Sequence, residues 1–206
     1  VSGSVVLRHE TYVRVPWPNG GGITDDILVD PGPAPDRRIS LATIRRDGPF
    51  SDFTGYDRDF VVATGAGVTL HHAGAAPVVL DRIGLTAAFR GETPTTCALL
   101  AGPVQAFNVF TRRAAARAVV TLHRIAAGDA WSAPPGAGYV FVLSGALDSP
   151  AGALRAHDTL ALGAGAAELR AHDAAFVVHV AFAPPGVIPG EPGAIGTTAS
   201  SGCPAR

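Results

Sequence analysis

The chain is written in short runs of β-branched and aromatic residues that stop at Gly, Pro or Asp before a helix has room to form. Such runs occupy 5–7, 38–44, 60–64, 68–72, 98–100, 104–110, 118–125, 139–143, 159–162 and 175–182. Many short strands at this spacing predict an all-β sandwich or barrel. Helical periodicity is confined to a single turn expected at 113–118. With 206 residues and 47% hydrophobic content the chain has enough apolar mass for a real core. Residues 184–206, rich in Pro, Gly, Ser and Thr, read as an extended tail.

An internal echo divides the strands into two copies of one unit. Phe60-Val61-Val62-Ala63-Thr64-Gly65-Ala66-Gly67 is answered by Tyr139-Val140-Phe141-Val142-Leu143-Ser144-Gly145-Ala146. In both an apolar strand ends in a small residue and a glycine turn, the opening hairpin of a jelly-roll barrel of the cupin type. The expected fold is therefore a bicupin, two jelly-roll barrels packed together. The first barrel is assigned to 1–115. The second, 116–183, is short for a barrel and needs strands from the N-terminus to complete it.

The other informative stretch is Trp17-Pro18-Asn19-Gly20-Gly21-Gly22-Ile23-Thr24. Each glycine gives up more backbone entropy on folding than another residue would, so three in a row mark a close approach of the backbone to something. Three further motifs follow it: Arg38-Ile39-Ser40-Leu41-Ala42-Thr43; Asp47-Gly48-Pro49-Phe50-Ser51-Asp52-Phe53 with Gly55-Tyr56-Asp57-Arg58; and Gly102-Pro103 before Phe107-Asn108-Val109-Phe110-Thr111-Arg112-Arg113. In this order and spacing the chain resembles the HutD/Ves family, bicupin proteins linked to bacterial histidine utilisation. The resemblance covers about 5–115. It implies a Lys or Arg between the tryptophan and the asparagine, where Pro18 stands and brings neither charge nor N–H.

Composition removes several function classes. A net charge of −1 gives no electrostatic case for nucleic acid, although all 16 basic residues are arginines. Cys97 and Cys203 form neither a disulfide framework nor a zinc set. No apolar stretch reaches the ~18 residues of a membrane span, and no signal segment is seen, so a cytoplasmic protein is expected. Histidines spaced for a cupin metal are missing. His71 and His72 alternate faces on a strand, and the first Glu after them is Glu92. Neither a metal nor another cofactor is expected. No nucleophile elbow, phosphate loop or dinucleotide fingerprint appears either.

The candidate ligand-binding residues are Arg58, Asn108, Asn19, Thr24, Thr96 and Phe110. Arg58 alternates in phase with Phe60 and Val62, which puts a guanidinium on an apolar face, with Asp57 and Asp59 on the other. A charge there needs an internal carboxylate or a bound anion. Asn108 shares a face with Ala106 and Phe110 and must be satisfied if buried; a structural hydrogen bond is the competing reading. Asn19 and Thr24 flank the glycines, where Asn19 also suits a turn. Thr96 follows Pro94 and either closes a turn or reaches a ligand. Trp17 and Cys97 read as packing residues.

These residues suit a non-catalytic protein that binds a small carboxylate. The resemblance implies a role in tuning histidine utilisation and a ligand such as urocanate or N-formylglutamate. The alternative is a metal-independent isomerase or hydrolase acting on a small organic acid, with His71 or His72 as its titrating group. A third reading is an interaction protein whose second barrel forms a homodimer interface; a homodimer is compatible with all three.

Overall fold

The computed structural model describes residues 3–185; the tail expected at 184–206 falls almost wholly outside them. The strands are β1 (Val5–Leu7), β2 (Val13–Pro16), β3 (Gly22–Val29), β4 (Arg37–Ile44), β5 (Gly48–Pro49), β6 (Tyr56–Thr64), β7 (Val68–His72), β8 (Val78–Leu80), β9 (Thr86–Arg90) and β10 (Thr95–Leu99). They continue as β11 (Val104–Arg112), β12 (Arg117–Ile125), β13 (Ala130–Ala133), β14 (Gly138–Ser144), β15 (Leu147–Ser149), β16 (Gly152–Leu154), β17 (Thr159–Ala161), β18 (Ala167–Ala171) and β19 (Ala175–Ala183). The helical turn expected at 113–118 is instead a tight turn, closed by Ala115 N–H to Arg112 O, that feeds directly into β12.

Four sheets make two barrels. The first pairs a six-stranded sheet, β2-β3-β4-β11-β6-β9, with a four-stranded one, β5-β10-β7-β8. The second pairs β1-β17-β14-β19-β12 with β13-β18-β15-β16. Strand β1 thus crosses to the second barrel, where Val5–Leu7 runs antiparallel to β17. Asp158 fastens this segment by accepting from Arg8 Nη1 at 2.7 Å and from the His9 N–H at 3.1 Å.

Alternation along the strands builds three cores. One face of β4, β6 and β11 sends Phe60, Val62, Ala106 and Ile44 into the first barrel. The opposite face sends Ile39, Leu41, Val61, Phe107 and Val109 against Phe141, Leu143, Val178 and Val180 of the second. Val140, Val142, Leu160 and Val177 fill the second barrel. The broad sheets are therefore buried on both faces, which is why their sequences read as continuous apolar runs. Phe107 and Phe141 stack across the seam, ring centres 4.6 Å apart.

The internal echo is real but displaced by one residue. Gly65 and Gly145 both sit at positive φ, 90° and 87°. Aligned on them, Val62 meets Val142 and Phe60 meets Val140, each pair inside its own barrel. The pairing of Phe60 with Tyr139 would match an interior residue with one at the seam. A one-residue slip reverses every side chain, so facing decides the register.

Candidate functional site

The six-stranded sheet curves around a cavity of about 400 Å³ in the first barrel. Its floor is a set of even-numbered positions brought together by cross-strand register. Ala42 opposes Thr24 on β3 and Ala106 on β11, Ser40 opposes Asn108, and Phe110 lies between Arg38 and Arg58. Its walls come from the 15–19 stretch, including Trp17, Pro18 and Asn19, and from Pro49, Phe50, Ser51 and Phe53. Pro18 lines the wall where the family resemblance implies a cation.

Arg58 is 6% exposed, and no ion pair to a carboxylate is formed by it among the described residues. Its Nε and Nη2 donate to one acceptor, Asn108 Oδ1, at 3.1 and 2.8 Å. Aromatic rings supply the rest of its surroundings. Phe50 lies 4.0 Å from its Cζ, with Phe110 at 5.1 Å, Phe89 at 5.4 Å and Phe60 at 5.5 Å. A desolvated cation over an aromatic face gains about 2 kcal/mol. Burial pulls the guanidinium down to about 9, so it is charged at neutral pH. Arg38 adds a second cation, but it is held by Asp26 at 2.8 Å. Two cations and one carboxylate leave the cavity positive.

Asn108, 1% exposed, is committed to the protein. Its Oδ1 takes both Arg58 bonds and its Nδ2 donates to Ala106 O at 2.9 Å. It aims the guanidinium rather than standing beside it as an adaptable amide. Thr24 is turned inward and accepts from Trp17 Nε1 at 2.8 Å, which fixes the indole against the hairpin. Asn19 lines the cavity and also makes the turn, its Oδ1 accepting the Gly21 N–H at 2.8 Å. Gly22 answers why glycine is required here: a Cβ would lie 2.3 Å from Thr43 O and 3.0 Å from the Trp17 ring.

The structure places Arg58, Asn108, Asn19, Thr24 and Phe110 around one cavity. Thr96 does not join them. It sits on β10 opposite Pro49 with its side chain exposed, because alternation sends Thr95 and Cys97 inward instead. The sequence reading missed Phe50, Phe53 and Arg38. Phe50 and Phe53 lay within a quoted motif, but their loop has no period from which facing could be read. Cys97 is buried, with its thiol pushed up to about 12 by burial, and packs as an apolar group. His71 is exposed and His72 buried, as alternation requires. Among the described residues no group of three or more His, Cys, Asp or Glu could hold a metal. Among the described residues no helix is long and apolar enough to cross a membrane.

A family model, HutD, matches residues 9–179, most of the chain. The chain belongs to the HutD family. HutD from Pseudomonas fluorescens SBW25, solved in a formate condition, superposes with a TM-score of 0.72 at 28% identity, over 87% of this chain and 99% of that one. Among curated relatives, a 21.2 kDa protein of the hutC 3' region of Pseudomonas putida is 39% identical over 110 residues, 50% of this chain. That match spans 56% of the relative's length. Protein Ves of Cronobacter sakazakii is 35% identical over 133 residues, 63% of this chain and 71% of Ves. Oxalate decarboxylase from Lactobacillus farciminis, 10% identical with a TM-score of 0.64, shares the cupin fold alone. The HutD cavity is thus carried on a bicupin frame.

Proposed function

We propose that this HutD-family chain is a non-catalytic binding protein for a small carboxylate, acting in the tuning of histidine utilisation. One observation carries the reading: a buried guanidinium on a cavity floor with no carboxylate of its own among the described residues. A protein that keeps such a group without an anion loses several kcal/mol in desolvation. A ligand carboxylate at Arg58 would restore the missing counter-charge, with charge-assisted hydrogen bonds worth about 1.5–3 kcal/mol each. The cavity volume suits a small organic acid. Urocanate and N-formylglutamate, both carboxylates from the pathway of the hut-linked relatives, are the ligands that fit this reading.

A binding role is favoured over catalysis by the lining itself. The described residues around the cavity include arginine, asparagine, serine, threonine and tryptophan, but no Asp, Glu, His or Cys. Acid–base turnover requires a titrating group within hydrogen-bond reach of the substrate. Calorimetric titration with urocanate and with N-formylglutamate tests the proposal. Saturable binding without product is expected, with a loss of at least ~100-fold in Arg58→Ala. Equal affinity in that variant would remove the assignment.

A further inference from the structure

His72 ends β7 on the interior side of the first barrel, 4% exposed. Its Nδ1 lies 2.9 Å from Thr95 Oγ1. That hydroxyl has one hydrogen, and it is given to Thr93 O at 2.8 Å. Toward His72 the hydroxyl must therefore accept, and the ring must donate from Nδ1. The tautomer is fixed: Nε2 carries a bare lone pair, buried and without a partner among the described residues. Orphaned acceptors of this kind are rare in folded proteins and call for an explanation.

The surroundings supply one. The His72 ring leans on Phe89 at 4.7 Å between centres, and the same Phe89 lies 5.4 Å from Arg58 Cζ. Thr95 meets the ring from β10 and Phe89 from β9, and Arg58 on β6 is the charged group whose field reaches it. Burial first, and then Arg58, hold the imidazole below its ordinary range.

Resting on the carboxylate reading above, we propose that His72 is the proton-linked partner of Arg58, so that an anion received at Arg58 is accompanied by proton uptake on His72 Nε2. A bound carboxylate offsets the field of Arg58, removing one of the two causes that keep the ring neutral. Affinity must then rise as pH falls, because the complex holds the proton more tightly than the free protein does. Phe50 stacks on Arg58, its ring centre 4.0 Å from the guanidinium carbon.

Sodium formate is a suitable probe because it stays ionised across the range. Its affinity for the whole chain is measured at about pH 8 and about pH 5.5, with the His72 imidazole followed by NMR in the presence and absence of formate. Formate should bind severalfold more tightly at the lower pH, and its binding should move the His72 titration upward. His72→Gln should bind with a flat pH profile. Formate binding that is lost in Arg58→Ala but independent of pH, or that leaves the His72 titration unmoved, overturns the proton linkage and leaves the carboxylate site standing. Formate binding unaffected by Arg58→Ala overturns both.

Discussion

The two barrels put different chemistry on the same register. On the central strands of the first, Arg58 opposes Phe110, Phe60 opposes Asn108, and Asn108 opposes Ser40. On those of the second, Gly138 opposes Ala181, Val140 opposes His179, and His179 opposes Thr121. The position of the buried cation is thus a glycine in the second barrel, and the amide that aims the cation is a histidine. At Gly138 a Cβ would lie 2.6 Å from Val180 O, so even a methyl is excluded there. The second barrel is closed by aliphatic packing, with His123 stacked on Trp131 at 4.4 Å. One architecture is held together by its interior; its sibling keeps an interior charge that folding alone does not call for.

If that contrast is right, its sharpest test is a cycle at Arg58 and Asn108. Asn108→Leu strips the cation of its acceptor and should destabilise by about 3–5 kcal/mol in a denaturant titration. Adding Arg58→Met to it should recover that loss and gain about 1–4 kcal/mol over the natural chain, while carboxylate binding disappears. A double variant no more stable than Asn108→Leu would mean that Arg58 serves the fold, and the contrast would break.

The reverse experiment enters the second barrel. Gly138→Ala should lower the unfolding free energy by about 1–3 kcal/mol through overpacking and leave carboxylate affinity unchanged. An effect on affinity would show that the two interiors are coupled through their shared seam.

Next in size is Asp59, whose register counterpart is Tyr139. Burial, and then Asp57, push its carboxyl up to about 7, against the pull of Arg117. Because the folded state holds this proton more tightly than the unfolded state, the favourable contribution is complete below about pH 4 and is lost as pH rises through about 7. Asp59→Asn should therefore raise Tm by on the order of 5 °C at pH 8 and leave it little changed near pH 4. An equal gain at both pH values would tie the effect to packing rather than to charge.

The smallest effect belongs to Thr96→Ala. The exposed hydroxyl should contribute within about 0.5 kcal/mol to stability, with no change in affinity.

Much of the cavity was legible in the chain because strands alternate. The phase shared by Arg58, Phe60 and Val62, and by Ala106, Asn108 and Phe110, identified inward-facing polar groups among apolar ones. Period-two reasoning weakens where the backbone leaves the strand. Phe50 and Phe53 come from a loop between β5 and β6, and only the folded chain brings Phe50 over the guanidinium. Thr96 shows the opposite failure, since its outward facing could be read only from the phase of β10, hidden by the Pro94-Thr95-Thr96 run.

By itself the sequence determined the all-β class, the duplication, the family and the inward facing of Arg58 among apolar residues, since these follow from local pattern and residue type. Tertiary structure decided the rest. The one-residue register of the repeat depends on which face meets the seam. The lack of an ion pair at Arg58 among the described residues and the fixed tautomer of His72 depend on contacts between strands, such as Arg58 with Asn108, 50 residues apart, and His72 with Thr95, 23 apart. Alternation can say that a side chain points inward, but only closure of the barrel says what it finds there.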